Sequence, residues 1–284
     1  MTTSKASILR DINGRWADIA RAAIARGIRA DVADHGAPKT LVSESHKGDP
    51  AEGFGFKNAF FYGSPAGEAF AEGSSKTACP WAGDCVRVCL ITNSGQIRLS
   101  AARRAGVQRM ALYYGDRAAF YTLMAAELRL LAARVAKKGL RVAYRPDGAT
   151  DLFIARGLVK HDPTIQDIVE LYDYTKSPER ALDTTGGVKT YSISEKSDPA
   201  DIRRILAAGG RVTIVTDRRK SDPIPPTWFG YPTVNGDEHD LVFLDPAGSV
   251  RVLAMKYSNK GGHAEGVRMG TEFGFVQQMT EWVN

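Results

Sequence analysis

An α/β fold on a largely parallel sheet is what this sequence predicts, and three observations point there. Strand-like runs alternate with helical connectors between residues 140 and 217. Polar side chains gather where those runs end. No stretch of about 18 consecutive apolar residues occurs, so no membrane-spanning helix is expected. Strands separated by helices need crossover connections, which pair them in parallel. About six strands sharing one sheet suit either an open doubly wound sheet or an incomplete barrel.

Each element has its own signal. Near the start, Ile8, Ile12, Trp16, Ile19 and Ala23 recur every third or fourth position with arginines between them, which predicts one amphipathic helix. The acidic Asp11 and Asp18 set it apart from a transit peptide, and it has no apolar run followed by a cleavage site. "KNAFFYG" (57–63) is the first strand. "NSGQIRLSAARRAGVQRMALYYG" is helical in part, with a basic face of Arg98, Arg103, Arg104 and Arg109 beside Tyr113 and Tyr114. Asp116 caps the next helix, whose core face is Phe120, Leu123, Met124, Leu128, Leu131 and Val135. Strands follow at 140–146, 169–176, 188–196 and 211–217, with a helix opened by Asp198-Pro199 before the last. "LVFLDPAGSVRVLAMKY" predicts two strands joined by a turn at 245–248, and "TEFGFVQQMTEWV" a closing helix.

The expected organisation is a single α/β domain over 1–284. Residues 1–54 are an N-terminal helix and loop extension, 55–257 the core, and 258–284 a C-terminal loop and helix. There is no internal repeat or low-complexity segment. The net charge of +6 favours polyanions such as nucleic acid, and equally suits a solvated surface. The cysteine count is odd and no secretory signal is evident, which places the chain in the reducing cytoplasm.

All three cysteines, Cys79, Cys85 and Cys89, fall within eleven positions of "KTACPWAGDCVRVCL", separated by five and then three residues. Three readings fit. They are small buried thiols. They bind zinc, with a fourth ligand from His35, His46, His161, His239, His263 or Asp84. Or they hold three irons of a [4Fe–4S] cluster and leave the fourth iron open to a small molecule. The last accounts together for the odd count, the tight spacing and the isolation of the thiols.

Other candidates lie at strand ends, where both α/β architectures place their sites. "YRPDGATDL" carries Arg145, Asp147, Gly148 and Asp151; "YDYTKSPER" carries Asp173 and Lys176; "SISEKSD" carries Ser194 and Glu195. Asp147, Asp151, Lys176 and Glu195 are candidates for acid–base or amine chemistry. Arg145, Asp147, Gly148, Asp173 and Ser194 are candidates for cofactor binding. Asp-Gly is also a turn signal, so Asp147 has a purely conformational alternative. In "NGDEHDL", Asp237, Glu238, His239 and Asp240 read as a cation or acid–base cluster, or as a charged turn.

A three-cysteine loop after the first strand of such a sheet resembles the radical S-adenosylmethionine enzymes. The resemblance implies a partial (β/α)6 barrel-like sheet, with the N-terminal helix and a C-terminal hairpin and helix outside it. It implies a [4Fe–4S] cluster on Cys79, Cys85 and Cys89, with S-adenosylmethionine bound at the open iron and cleaved reductively to a 5′-deoxyadenosyl radical. The family's usual spacing is three and then two residues between cysteines, and its Gly-Gly-Glu-Pro-like segment is replaced here by "YRPDGATDL". The chain from about residue 55 to 255 is also similar to a family of phage and prophage proteins through "CPWAGDCVRVCL", "YRPDGATDL", "YDYTKSPER", "SEK" and "GDEHDLVFLDP". That setting implies DNA or a nucleotide as substrate and a host-cytoplasmic location. The alternative is a non-enzymatic nucleic-acid-binding protein with structural zinc or a static cluster.

Overall fold

The computed structural model describes residues 4–44, 50–89, 100–257 and 261–279. The chain forms two compact units. One comprises Met1–Pro80, Arg98–Leu171 and Thr185–Gly187; the other comprises Trp81–Ile97, Tyr172–Thr184 and Val188–Asn284. The fold is mixed α/β, with ten strands in a mostly parallel sheet and eight α-helices among the described residues.

In the first unit, α1 (Lys5–Gly14) and α2 (Trp16–Ala25) replace the single expected helix. Arg15 breaks them apart, its backbone leaving helical geometry while its guanidinium pairs with Asp11 at 2.6 Å and Asp116 at 2.9 Å. The apolar period runs through the break, and Ile8, Ile12, Trp16, Ile19 and Ala23 are all buried. Strand β1 (Ser43–Glu44) is antiparallel to β2 (Phe56–Phe60), which pairs in parallel with β3 (Arg141–Arg145). The beginning of β4 (Val169–Thr175) continues the ladder on β3.

Helices α3 (Ser100–Gly115), α4 (Arg117–Ala136) and α5 (Ile154–His161) complete this unit. Asp116 caps α4 as expected, accepting the Ala119 N–H at 2.9 Å. The predicted core face of α4 is buried from Phe120 to Val135. Glu127, on the same helix, is buried too. It accepts the Leu41 and Val42 N–H groups at 2.8 Å and the Thr40 hydroxyl at 3.0 Å, and pairs with Lys5 at 2.8 Å.

In the second unit, the rest of β4 pairs with β5 (Val188–Ser192), then β6 (Arg211–Thr216), with every ladder parallel. Beyond β6 come β9 (Val250–Ala254) and β8 (Tyr231–Asn235), also parallel, and β7 (Thr227–Trp228) closes the edge antiparallel to β8. One face is apolar: Tyr191, Val212, Ile214, Val250 and Val252 pack with Ala181 and Leu182 of α6 (Pro178–Leu182) and Ile202, Ile205 and Leu206 of α7 (Pro199–Ala207). The alternate residues form a polar face. There Thr190 and Thr213 share a hydrogen bond of 2.8 Å, and the fully buried Arg251 pairs with Asp245 through two nitrogens at 2.7 and 2.6 Å.

Arg251 explains the first correction. The expected C-terminal hairpin is absent: Val242–Leu244 is a 3-10 turn, and only Val250–Ala254 is a strand. The guanidinium holds the Asp245 carboxylate together with the His239 carbonyl, so the intervening segment folds back over the polar face instead of pairing. The hairpin of this unit is β7–β8, inside what reads in sequence as a proline-rich loop.

The closing helix is the second correction. Helix α8 spans Gly262–Glu272 and stops at Phe273; Gly274, at φ 68°, turns the chain into β10 (Val276–Gln277), parallel to the end of β6. Residues 280–283 of the expected helix lie outside the described residues. No helix among the described residues is long and apolar enough to cross a membrane.

Candidate functional site

The cysteine loop is shared between the units: Cys79 belongs to the first, Cys85 and Cys89 to the second. In the first unit, Cys79 lies against the loop that follows β3. Its sulfur accepts the Ala66 N–H at 3.4 Å and stands 3.9 Å from the Ala149 carbonyl oxygen. The Asp151 N–H donates to the Ala78 carbonyl at 2.9 Å, tying the residue before the cysteine to "YRPDGATDL".

The same loop shows what Asp147 does locally. Its carboxylate is buried and accepts the Thr150 hydroxyl at 2.5 Å, the Leu152 N–H at 3.0 Å and the Ile154 N–H at 2.9 Å. The last of these is an otherwise unsatisfied donor in the first turn of α5. This is the geometry of a loop organiser. Gly148 donates its N–H to the Phe61 carbonyl at 3.1 Å, and a Cβ there would lie 2.9 Å from that oxygen, so the backbone needs glycine for close approach. Arg145 ends β3 and accepts the Phe61 N–H at 3.1 Å. Asp151 is buried beside Ala78.

In the second unit, four interactions hold the loop. Val88 is buried with Met255 and Val276 in a small apolar cluster. Glu195, just past β5, accepts the Asp84 N–H at 2.7 Å, and Lys196 donates to the Ala82 carbonyl at 3.4 Å. Arg87 pairs with Asp84 at 2.9 Å and lies 4.8 Å from the Phe273 ring centre. Ser194 shapes the clasp from behind: its N–H donates to the Ser197 hydroxyl at 2.9 Å, and its own hydroxyl accepts the Lys196 N–H at 3.4 Å.

Lys176, at the end of β4, donates to the carbonyls of Ser192 and Ile193 at 3.2 and 3.4 Å and lies 5.0 Å from the Phe275 ring centre. Burial pushes the Cys85 thiol up from its ordinary value. The Lys176 ammonium pulls it down, while the nearby Cys89 and Glu195 push it up. Cys85, Cys89, Lys176 and Glu195 therefore share one electrostatic neighbourhood at the carboxyl ends of β4 and β5. Asp173 sits elsewhere on β4. It is buried in register with Lys189 of β5, whose ammonium donates to the Asp183 carbonyl at 2.6 Å and is pushed down by burial. The sequence signal for this pairing is the lysine inside "VKTYS", a charged side chain in an otherwise strand-like run.

Three thiols are the right donor chemistry for iron or zinc. Among the described residues, however, no set of three or more His, Cys, Asp or Glu side chains forms a group able to hold a metal ion. His46 lies outside the described residues, as does Arg98 of the expected basic face. Arg103 and Arg104 of that face are exposed on α3. Arg109 is a correction to it: it is turned inward and donates to the Thr40 and Tyr62 carbonyls at 3.0 Å. In "NGDEHDL", Asp237 is buried on Arg218 at 2.5 Å and on the Ala254 N–H at 2.9 Å, so it serves the fold.

No curated protein and no solved structure matches the chain. A protein-family model described as gene product 88 matches residues 39–269. That span holds every strand from β1 to β9, all three cysteines, and Lys176, Glu195 and Lys196 at the strand ends. The chain belongs to the gene product 88 family.

Proposed function

We propose that this chain is an iron–sulfur enzyme of the radical S-adenosylmethionine type, with Cys79, Cys85 and Cys89 as ligands of a [4Fe–4S] cluster. In this reading the parallel strands form a partial (β/α)6 barrel-like scaffold, and the substrate is a nucleotide or nucleic acid in a phage-infected host cytoplasm. The supporting observation is the placement of Cys85 and Cys89 beside Lys176 where β4 and β5 end. A cluster held by three thiolates supplies an electron and one open iron that takes the amino and carboxylate groups of a small molecule.

The chain's own residues do the rest. Lys176 offsets the negative charge that ligation places on the loop. Glu195 and Lys196 act as positioning residues, holding residues 82–84 in place. Asp151 and Arg145 are candidates to bind the cofactor's polar groups, while Gly148 serves the packing of its loop on Phe61. The membership of a phage-type family and the net charge of +6 support the setting and the polyanionic substrate.

Anaerobic reconstitution with iron and sulfide tests the reading. The expected product is brown, carries about four irons per chain, and loses its colour in C85A, C79A and C89A alike. Stoichiometric zinc without iron overturns it in favour of a nucleic-acid-binding protein with a structural metal. Cysteine variants that leave metal content unchanged overturn both.

A further inference from the structure

A single side chain anchors the second half of the cysteine loop. Among residues 81–89, Val88 alone is buried, at 1% exposure, while Val86 stands 43% exposed. Val88 lies between Cys85 and Cys89, directly before the latter. A loop with one buried apolar contact owes its order to whatever that contact packs on. For Val88 this is a cluster whose other buried members are Met255, just past β9, and Val276 of β10.

Val276 is itself fixed from two sides. Strand β5 leaves the edge of β6 after Ser192, opposite Thr213, and the chain turns aside where the Ser194 N–H donates to the Ser197 hydroxyl. Strand β10 takes the next positions on β6, pairing Val276 with Val215 and Gln277 with Thr216, and the Asp217 N–H donates to the Gln277 carbonyl at 3.3 Å. Behind it, α8 comes so close that a Cβ on Gly270 would clash with Val276 Cγ2. A slip of one residue in this pairing would turn Val276 to the opposite face, so the register on β6 decides what Val88 packs with.

The residues before Val276 meet the same neighbourhood. Arg87 Cζ lies 4.8 Å from the Phe273 ring centre, and Lys176 Nζ lies 5.0 Å from that of Phe275. The carboxyl ends of parallel strands are where α/β sheets hold their ligands. Here the chain's own last strand is inserted at that end.

We infer that β10 is a positioning element of the cysteine site, with Val276 its key residue: it holds Val88, and through it Cys85 and Cys89, at the strand ends. What those two thiols then bind rests on the iron–sulfur reading.

The test is alkylation of the full-length, metal-free protein with iodoacetamide, resolved for each cysteine by mass spectrometry. V276A is expected to speed labelling of Cys85 and Cys89 about tenfold, the scale of two lost buried methyl groups. Cys79, which belongs to the other unit, should keep its parent rate. V276I preserves the apolar contact and should restore the parent rates. V252A removes the same side chain from the apolar face of this unit, and should lower the melting temperature without changing the ratio of Cys89 to Cys79 labelling. If V276A does not fold, V276T, which keeps the shape but adds a hydroxyl to the contact, is read in the same way. A ratio equal to the parent's overturns the inference, and so does a V252A protein whose ratio rises as far. Iron loading of the parent is measured in parallel. A parent that takes up no iron, with selective labelling in V276A, overturns the iron–sulfur reading and supports the role of β10. A parent that loads iron, with labelling in V276A unchanged, overturns the role of β10 alone.

Discussion

Glu195 accepts the Asp84 N–H at 2.7 Å, and its carboxylate fills the space in front of Gly83, where a Cβ would come within 1.5 Å of Oε1. The turn between Cys79 and Cys85 and the loop after β5 are therefore fitted to each other. A methyl group at position 83 would have to displace that carboxylate, the movable end of an exposed side chain; the φ of −104° is itself open to any residue.

E195A is expected to free the loop. A hydrogen bond from a backbone N–H to a charged acceptor contributes about 1.5–3 kcal/mol when shielded. Because Glu195 is exposed, a loss of about 1 kcal/mol is expected. Cys85 in metal-free protein should then react faster with a thiol reagent, and E195Q, which keeps the acceptor, should react near the parent rate. G83A should behave like E195A, because its methyl displaces the carboxylate. Labelling rates that do not differ among the four proteins would refute the clasp.

Asp147 yields a second expectation. Three hydrogen bonds converge on its buried carboxylate, so D147A should destabilise the chain by about 2–4 kcal/mol, visible as a lower urea midpoint. D147N retains one acceptor oxygen and should fall between. If D147A unfolds at the parent midpoint, the residue does not organise the loop, and its chemical role returns to the foreground.

The third concerns pH. His239 Nδ1 accepts the Leu241 N–H at 3.2 Å and faces Arg251 at 3.4 Å, so the neutral ring suits its surroundings. Burial, then the Arg251 charge, holds its pKa below the ordinary value, with the nearby Asp245, Glu238 and Asp240 opposing. The unfolded chain therefore binds a proton more readily than the folded one. Stability should fall as pH drops below about 6.5 toward the folded pKa, and this contribution should be fully present above it. H239Q should flatten that part of the stability profile. An identical slope in H239Q between pH 7 and 5.5 would count against it.

Local pattern carried much of the fold. The buried faces of α1, α2 and α4 follow from a 3.6-residue period that survives even the break at Arg15. The Asp116 and Asp198 caps follow from side chains that satisfy donors within three residues of themselves. Strands β3 to β6 were legible because each is a short apolar run bounded by a helix signal. The same reasoning failed at "LVFLDPAGSVRV". There a buried arginine, reaching back six residues to Asp245, outweighs the β-propensity of "LVFL". It failed again at 273–279, where "FGFVQQM" has helical spacing on paper but Gly274 follows the end of the helix and β10 pairs with β6.

What the chain by itself determined was the alternation of strand and helix, the clustering of three thiols, and the polar residues at strand ends, since each depends only on neighbours in sequence. Tertiary structure alone decided that Asp147 turns inward to its own loop, that Asp173 faces Lys189, and that Glu195 grips Gly83 and Asp84. It also buried Val88, next to Cys89, in one cluster with Val276 of β10. These depend on which strand lies beside which, and a carboxylate's role follows from the donors that folding brings within about 3 Å of it.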